Sequence, residues 1–229
     1  MFFIGFLGDN FFYRKFIRYL PLSFIKPIFF MKAVITGDII NSRKQPAAEW
    51  LPLLKEVLSN YGRNPREWEI FRGDSFQLIV PTKKALHVAI HLKAGIKTIK
   101  DLDVRIAIGI GEQDHKAKKI SESNGSAFVR SGEGFESLKK QNMGIFTGNP
   151  EEDELLNLLL TLALLTMNSW STTVAMAIKT ALENPEKSQT ELAVLLGKSQ
   201  SSLSEALKRG AFDEISNLEE FYRKKMDRL

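Results

Sequence analysis

Apolar residues run together or alternate in five short stretches of this chain, and recur at helical spacing between them. The first stretch, KAVITGDI at residues 32–39, is β-branched and reads as a buried strand. PAAEWLPLLKEVLSNYG follows, with Trp50, Leu51, Leu54, Val57 and Leu58 three and four apart and Gly62 beyond the end, which predicts an amphipathic helix. Pro52 falls in its first turns, where a missing amide does least harm. EWEIF and SFQLIV read as two strands joined through Arg72-Gly73-Asp74 in a hairpin. A helix over residues 82–100, with Leu86, Ala89, Ile90 and Ile96 inward, leads to a fourth strand, VRIAIGIGE, at residues 104–112. After a polar loop, a shorter helix is predicted over 127–140 despite Gly132 and Gly134, then a fifth strand in MGIFTG.

The order β-α-β-β-α-β, then α-β, predicts an α+β fold: a ferredoxin-like palm over residues 31–148 with its helices on one face. A boundary is read at TGNPEEDELL. There Asn149 suits an N-cap, Pro150 the first helical position, and Glu151, Glu152 and Asp153 the positive end of a helix. Residues 149–229 read as a second, all-α domain. Its first helix, LLNLLLTLALLTMN, is nearly all apolar yet too short to span a bilayer, so it is expected to lie buried in the core.

Residues 1–30 differ from the rest, being rich in aromatics and poor in pattern. Asp9, Arg14, Lys15, Arg18 and Lys26 interrupt any membrane-spanning run, and a signal peptide's basic start and small-residue cleavage site are missing. MKAVITGD is a natural first strand, so residues 1–30 read as a leader from an upstream start rather than as a membrane contact.

Composition narrows the chemistry. The chain has 229 residues, enough for a substantial core, and no cysteine, which removes disulfides and thiolate zinc sites and suits a reducing cytoplasm. Among three histidines, His87 and His91 are four apart on a predicted helix but have no third ligand in view. The net charge of +5 is uneven: residues 1–30 carry +3, residues 31–150 carry +6 and residues 151–229 carry −4. The basic excess is therefore not in the helical third.

Two strands carry Gly-Asp, in TGDIINS and FRGDSFQ. In a palm of the predicted order these strands are neighbours, so Asp38 and Asp74 would meet at one edge. Two close carboxylates favour a cation between them, and an all-oxygen site completed by phosphate suits Mg²⁺. Gly37 and Gly73 would let a phosphate approach the backbone. TGDIINS, FRGDSFQLIV, VRIAIGIGE and NGSAFVRSGEGFESL resemble, in that order, the class III nucleotide cyclase core over about residues 32–140. The resemblance implies a metal role for Asp38 and Asp74 and nucleotide contacts from Gly37, Gly73, Ser75 and Arg130. The family's base-reading lysine falls on Ile70, however, its transition-state asparagine on Arg130 and its transition-state arginine on Gly134. An arginine that stabilises phosphoryl charge is not replaceable by glycine, so catalysis is expected to be lost while ligand binding remains.

SQTELAVLLGKSQSSLSEALKRG, residues 188–210, carries a capping box at Ser188 and Glu191, a turn at Gly197 and a second cap at Ser199. Two short helices joined this way form a helix-turn-helix pattern. Gln200, Ser201, Ser202 and Glu205 would then face base edges, and Lys208 and Arg209 phosphates. Residues 187–229 carry only +1, so binding per monomer would be weak and a homodimer would be needed. The whole set of motifs from MKAVITGDIINSR onward resembles the SatD family of bacterial proteins. That resemblance implies a cytoplasmic protein with a DNA-binding domain and supplies no reaction. The expected function is a DNA-binding transcriptional regulator whose degenerate cyclase-like domain binds a nucleotide or pairs two copies. The alternative is a Mg²⁺-dependent nucleotidyl or phosphoryl transferase using the two aspartates.

Overall fold

The computed structural model describes residues 31–139 and 141–228. The elements are, in order, β1 (Lys32–Ile40), α1 (Ala47–Ser59), β2 (Trp68–Phe71), β3 (Ser75–Pro81), α2 (Ala85–Ile96), β4 (Asp103–Gly111), α3 (Ser126–Ser137) and β5 (Met143–Phe146). Then come α4 (Pro150–Met167), α5 (Thr172–Glu183), α6 (Gln189–Leu195), α7 (Gln200–Arg209) and α8 (Phe212–Met226). The expectations for residues 1–30 lie outside the described residues. Among those described, no helix is long and apolar enough to cross a membrane.

The fold is α+β, built on one mixed sheet in the order β2-β3-β1-β4-β5. β1 is antiparallel to both β3 and β4, β2 is antiparallel to β3, and β5 runs parallel to β4. Side chains alternate across a strand, so each face collects every second residue. Ala33, Ile35 and Ile39, with Phe76, Leu78, Ile106 and Ile108, point to one face, where Trp50, Leu54 and Leu58 of α1 and the residues of α2 cover them. α2 is buried along its whole length except at His87, because the C-terminal helices cover its outer side.

Asn149 does cap α4, its side chain accepting from the amides of Glu151 and Glu152. The buried cluster nevertheless continues past it through Leu156, Leu160, Ile178, Leu203 and Tyr222, and Met31–Leu229 form one compact unit. Two long-range bonds tie the helices down. The Tyr222 hydroxyl donates to the Thr82 carbonyl at 2.8 Å, and Trp170 Nε1 donates to the Gly210 carbonyl at 3.0 Å.

Two expectations are corrected. Not all helices lie on one face: α3 crosses the opposite face, against Val34, Ile79 and Ile120. Gly109 permits this, since a Cβ there would sit 2.3 Å from the Ala127 carbonyl oxygen and 2.3 Å from the Ser131 amide. Nor is α4 buried all round. Leu156, Leu160, Leu164 and Met167 face the core, while Leu158, Leu162 and Leu165 are 58%, 57% and 73% exposed. A helix at the outside of the molecule has a core on one side only, whatever its composition.

Candidate functional site

Asp38 stands in register between Ser75 of β3 and Arg105 of β4, on the sheet face that α3 crosses. Its carboxylate accepts from Arg105 Nε at 3.3 Å and Nη2 at 2.7 Å, a two-toothed ion pair. The Arg105 guanidinium also lies over the Phe135 ring of α3, 4.3 Å from its centroid. Asp74 occupies the hairpin tip, where its Oδ2 accepts from Ser42 Oγ at 2.5 Å and its carbonyl accepts from the Ile39 amide at 3.2 Å. Asp38, Asp74 and Ser75 are thus brought to one edge, each carboxylate with a partner of its own. Among the described residues, no group of three or more histidine, aspartate or glutamate side chains is gathered as a metal cage would require.

Gly37 departs from expectation, and the two glycines differ from each other. A Cβ at Gly37 would lie 2.5 Å from Phe76 Cζ and 2.7 Å from the Arg105 carbonyl oxygen. The space that was expected to admit a phosphate is filled by a fully buried ring on the core face. Gly73 has open space around it and φ of 93°, following Arg72 at 53°, so it serves the turn.

Arg130 is not part of this edge. Its Nη1 donates to the Ile110 carbonyl at 2.5 Å and its guanidinium packs on Gly148. Ile110 is five residues along β4 from Arg105, roughly 17 Å at strand rise. The resemblance that put Arg130 among the nucleotide contacts carries no information on which end of β4 that residue overlies. A side chain at Gly134 has no room, since its Cβ would fall 2.3 Å from Phe146 Cδ2. Between the two ends a polar thread pins α3 to the sheet: Gln77 Nε2 donates to Thr36 Oγ1 at 3.3 Å, and Thr36 Oγ1 to Ser131 Oγ at 3.0 Å. Sequence reasoning missed Arg105 and Ser42. The period-two pattern of VRIAIGIGE puts Arg105 on the polar face, but only register puts it beside Asp38.

The second candidate is α7. Ser188 and Glu191 form the full capping box of α6, the chain turns at Gly197 with φ of 59°, and Ser199 caps α7 by accepting from the Ser202 amide. Leu203, Ala206 and Leu207 face inward, while Gln200, Ser201, Ser202, Glu205, Lys208 and Arg209 are all exposed. Ser201, Ser202, Glu205 and Arg209 line a groove of about 710 Å³ together with Lys198 and with Thr172, Thr173 and Met176 of α5. Gln200 Nε2 donates to Gln189 Oε1 at 3.2 Å, and Lys208 stands outside the groove. The α5 threonines and Lys198 were not anticipated, because nothing local in the sequence pairs them with α7.

His87 and His91 do not form a metal pair. His91 Nδ1 meets the Tyr61 hydroxyl at 2.7 Å and Nε2 meets Glu183 Oε1 at 3.0 Å, so the ring donates from Nε2 to the carboxylate and accepts from the phenol. Burial holds both imidazoles below their ordinary value; at His91 the Glu183 carboxylate opposes this.

A scan against protein-family models finds no match to this sequence, and a search of the curated proteins finds none either.

Proposed function

We propose that this protein is a dimeric, cytoplasmic DNA-binding transcriptional regulator of the SatD type, with a ferredoxin-like, cyclase-type palm that has lost catalysis. The observation that carries the reading is the exposed polar face of α7, which follows a capped seven-residue helix and a glycine turn. Hydroxyls and an amide at Ser201, Ser202 and Gln200 suit base edges, and Lys198, Lys208 and Arg209 suit phosphates. For the palm, supporting observations are the antiparallel order β2-β3-β1-β4 and the meeting of both Gly-Asp segments at one edge.

The test is fluorescence anisotropy of the full chain on fragments of its own promoter region, repeated over a range of salt. Binding should fall steeply with salt. Replacing Lys208 and Arg209 together by alanine should flatten the log–log slope by about 2, one counterion per lost phosphate contact. A chain that binds none of the fragments would overturn the reading.

The alternative, Mg²⁺-dependent nucleotidyl or phosphoryl transfer by Asp38 and Asp74, is favoured by their shared edge alone. It requires turnover of a nucleotide that either Asp→Asn change abolishes. Arg105 weighs against it, because the cation must first take Asp38 from a two-toothed partner.

A further inference from the structure

The outer side of α4 has no partner within the chain's described residues. Leu158, Leu162 and Leu165 are exposed there, and the half-buried Leu155 and Leu159 join them in one continuous row. Scattered exposed leucines need no explanation, but a contiguous row along one helix marks a surface that is covered. The spacing of Leu155, Leu158, Leu162 and Leu165 is three, four, three, which reads the same in both directions about the level of Leu160. A row with that symmetry is complementary to itself when reversed.

We infer that α4 is the seam of a homodimer, packed antiparallel against the α4 of a second copy about a two-fold axis near Leu160. Leu158 then meets the partner's Leu162, and Leu155 the partner's Leu165. Charge selects this direction over the parallel one. Glu151 and Glu154 are exposed at the start of the helix, while Glu152 is already paired with Lys225 at 2.8 Å. Parallel pairing would stack Glu151 and Glu154 on their own copies. Antiparallel pairing separates them by most of a helix about 27 Å long, well past the screening length of about 8 Å. It also sets each acidic end against the uncharged end formed by Thr166, Asn168 and Ser169.

A stripe of that length and about 10 Å wide covers about 300 Å², less than the roughly 800 Å² each partner buries in a stable pair. The dimer is therefore reversible and depends on concentration. This inference rests on the dimer in the proposed function and names where the copies meet. It is read without DNA, so failure of the seam and failure of DNA binding are separate results.

The test is sedimentation of the full chain over a concentration series, together with cysteine cross-linking. The native sequence has no cysteine, so introduced thiols have no background. A monomer–dimer equilibrium is expected, and Leu158→Glu with Leu162→Glu should weaken it by at least about 100-fold at unchanged helical circular dichroism. Should that variant misfold, cross-linking decides. Under mild oxidation a mixture of Leu155→Cys and Leu165→Cys chains should link, and neither alone. A wild type that is monomeric throughout, its stripe taken by another partner or a lipid surface, overturns the inference. So does a dimer that survives the two glutamates, or Leu155→Cys linking to itself.

Discussion

Changing Gly109 to alanine adds one methyl group where α3 leaves no space for it. The new Cβ would sit 2.3 Å from both the Ala127 carbonyl oxygen and the Ser131 amide nitrogen, and 2.8 Å from Ser131 Cα. Ordinary contact is about 3.5 Å, so α3 must retreat by about 1 Å, and no rotamer relieves a clash with backbone. Retreat stretches the 3.0 Å Thr36–Ser131 bond and loosens the small cluster of Val34, Ile79, Ile120 and Ala127. Overpacking of this kind costs about 1–3 kcal/mol and a weakened buried hydrogen bond about 1 kcal/mol more, so a loss of about 2–4 kcal/mol is expected. Gly132, in the middle of the same helix, has nothing within 4 Å of where its Cβ would be. Gly132→Ala should instead gain about 0.5–1 kcal/mol, because the helix interior favours alanine over glycine. The assay is urea unfolding of both variants beside the wild type. Opposite shifts of the midpoint are expected. A Gly109→Ala midpoint within about 0.5 kcal/mol of wild type would refute the close approach of α3 to the sheet.

Two further outcomes follow from buried ionisable groups. Burial keeps His87 and His91 below the ordinary imidazole value of 6.5, so below that pH the unfolded chain takes up protons that the native state refuses. Stability should be full above about pH 6.5 and fall beneath it by at most about 1.4 kcal/mol per pH unit from His91. Urea midpoints read across that range check this, and a profile unchanged in His91→Gln would contradict it. Lys93 is fully buried with its ammonium 2.7 Å from Asp103, its affinity for the proton lowered by burial and partly restored by that carboxylate. Asp103→Asn should cost about 3–5 kcal/mol by leaving a buried cation alone, and Lys93→Met added to it should recover much of the loss in the same unfolding assay.

Much of the scaffold was legible because local chemistry and tertiary position agree there. The β-branched runs alternate into two faces, Arg72-Gly73-Asp74 has the residues a hairpin tip needs, and Asn149, Ser188 and Ser199 cap the helices their types suggest. That the Asp38 and Asp74 segments come to one edge was legible from strand order alone, whereas the facing of Asp38 and Ser75 is a matter of register. α4 was not, because leucine on nearly every side erases the periodicity that separates core from surface. The place of α3 was not legible either, since Gly109 and Gly111 read as neutral strand residues until a helix is laid across them. Arg130 was assigned by position in a motif, and its distance along β4 from Asp38 is a property of the assembled sheet.

Charge at the carboxylate edge shapes what this end of the sheet could bind. Arg105 offsets Asp38, so a lone divalent cation would meet one uncompensated carboxylate charge, that of Asp74, whose Oδ2 already accepts from Ser42. A phosphate changes this, because Arg105 pairs with phosphate oxygens as readily as with a carboxylate and in turning to them would release Asp38 to a cation. The Arg105 side chain is 35% exposed, so a phosphate from solvent can reach it. Nucleotide and Mg²⁺ would then bind together and neither would bind well alone. In a thermal-shift titration of the full chain, the melting point should rise only when both are present, and the rise should disappear in Asp38→Asn and in Arg105→Ala. Arg105→Ala separates this exchange from simple chelation by two aspartates, for removing the competing cation would strengthen chelation. A rise with Mg²⁺ alone, enhanced in Arg105→Ala, would mean that the aspartates act as a cation site without phosphate.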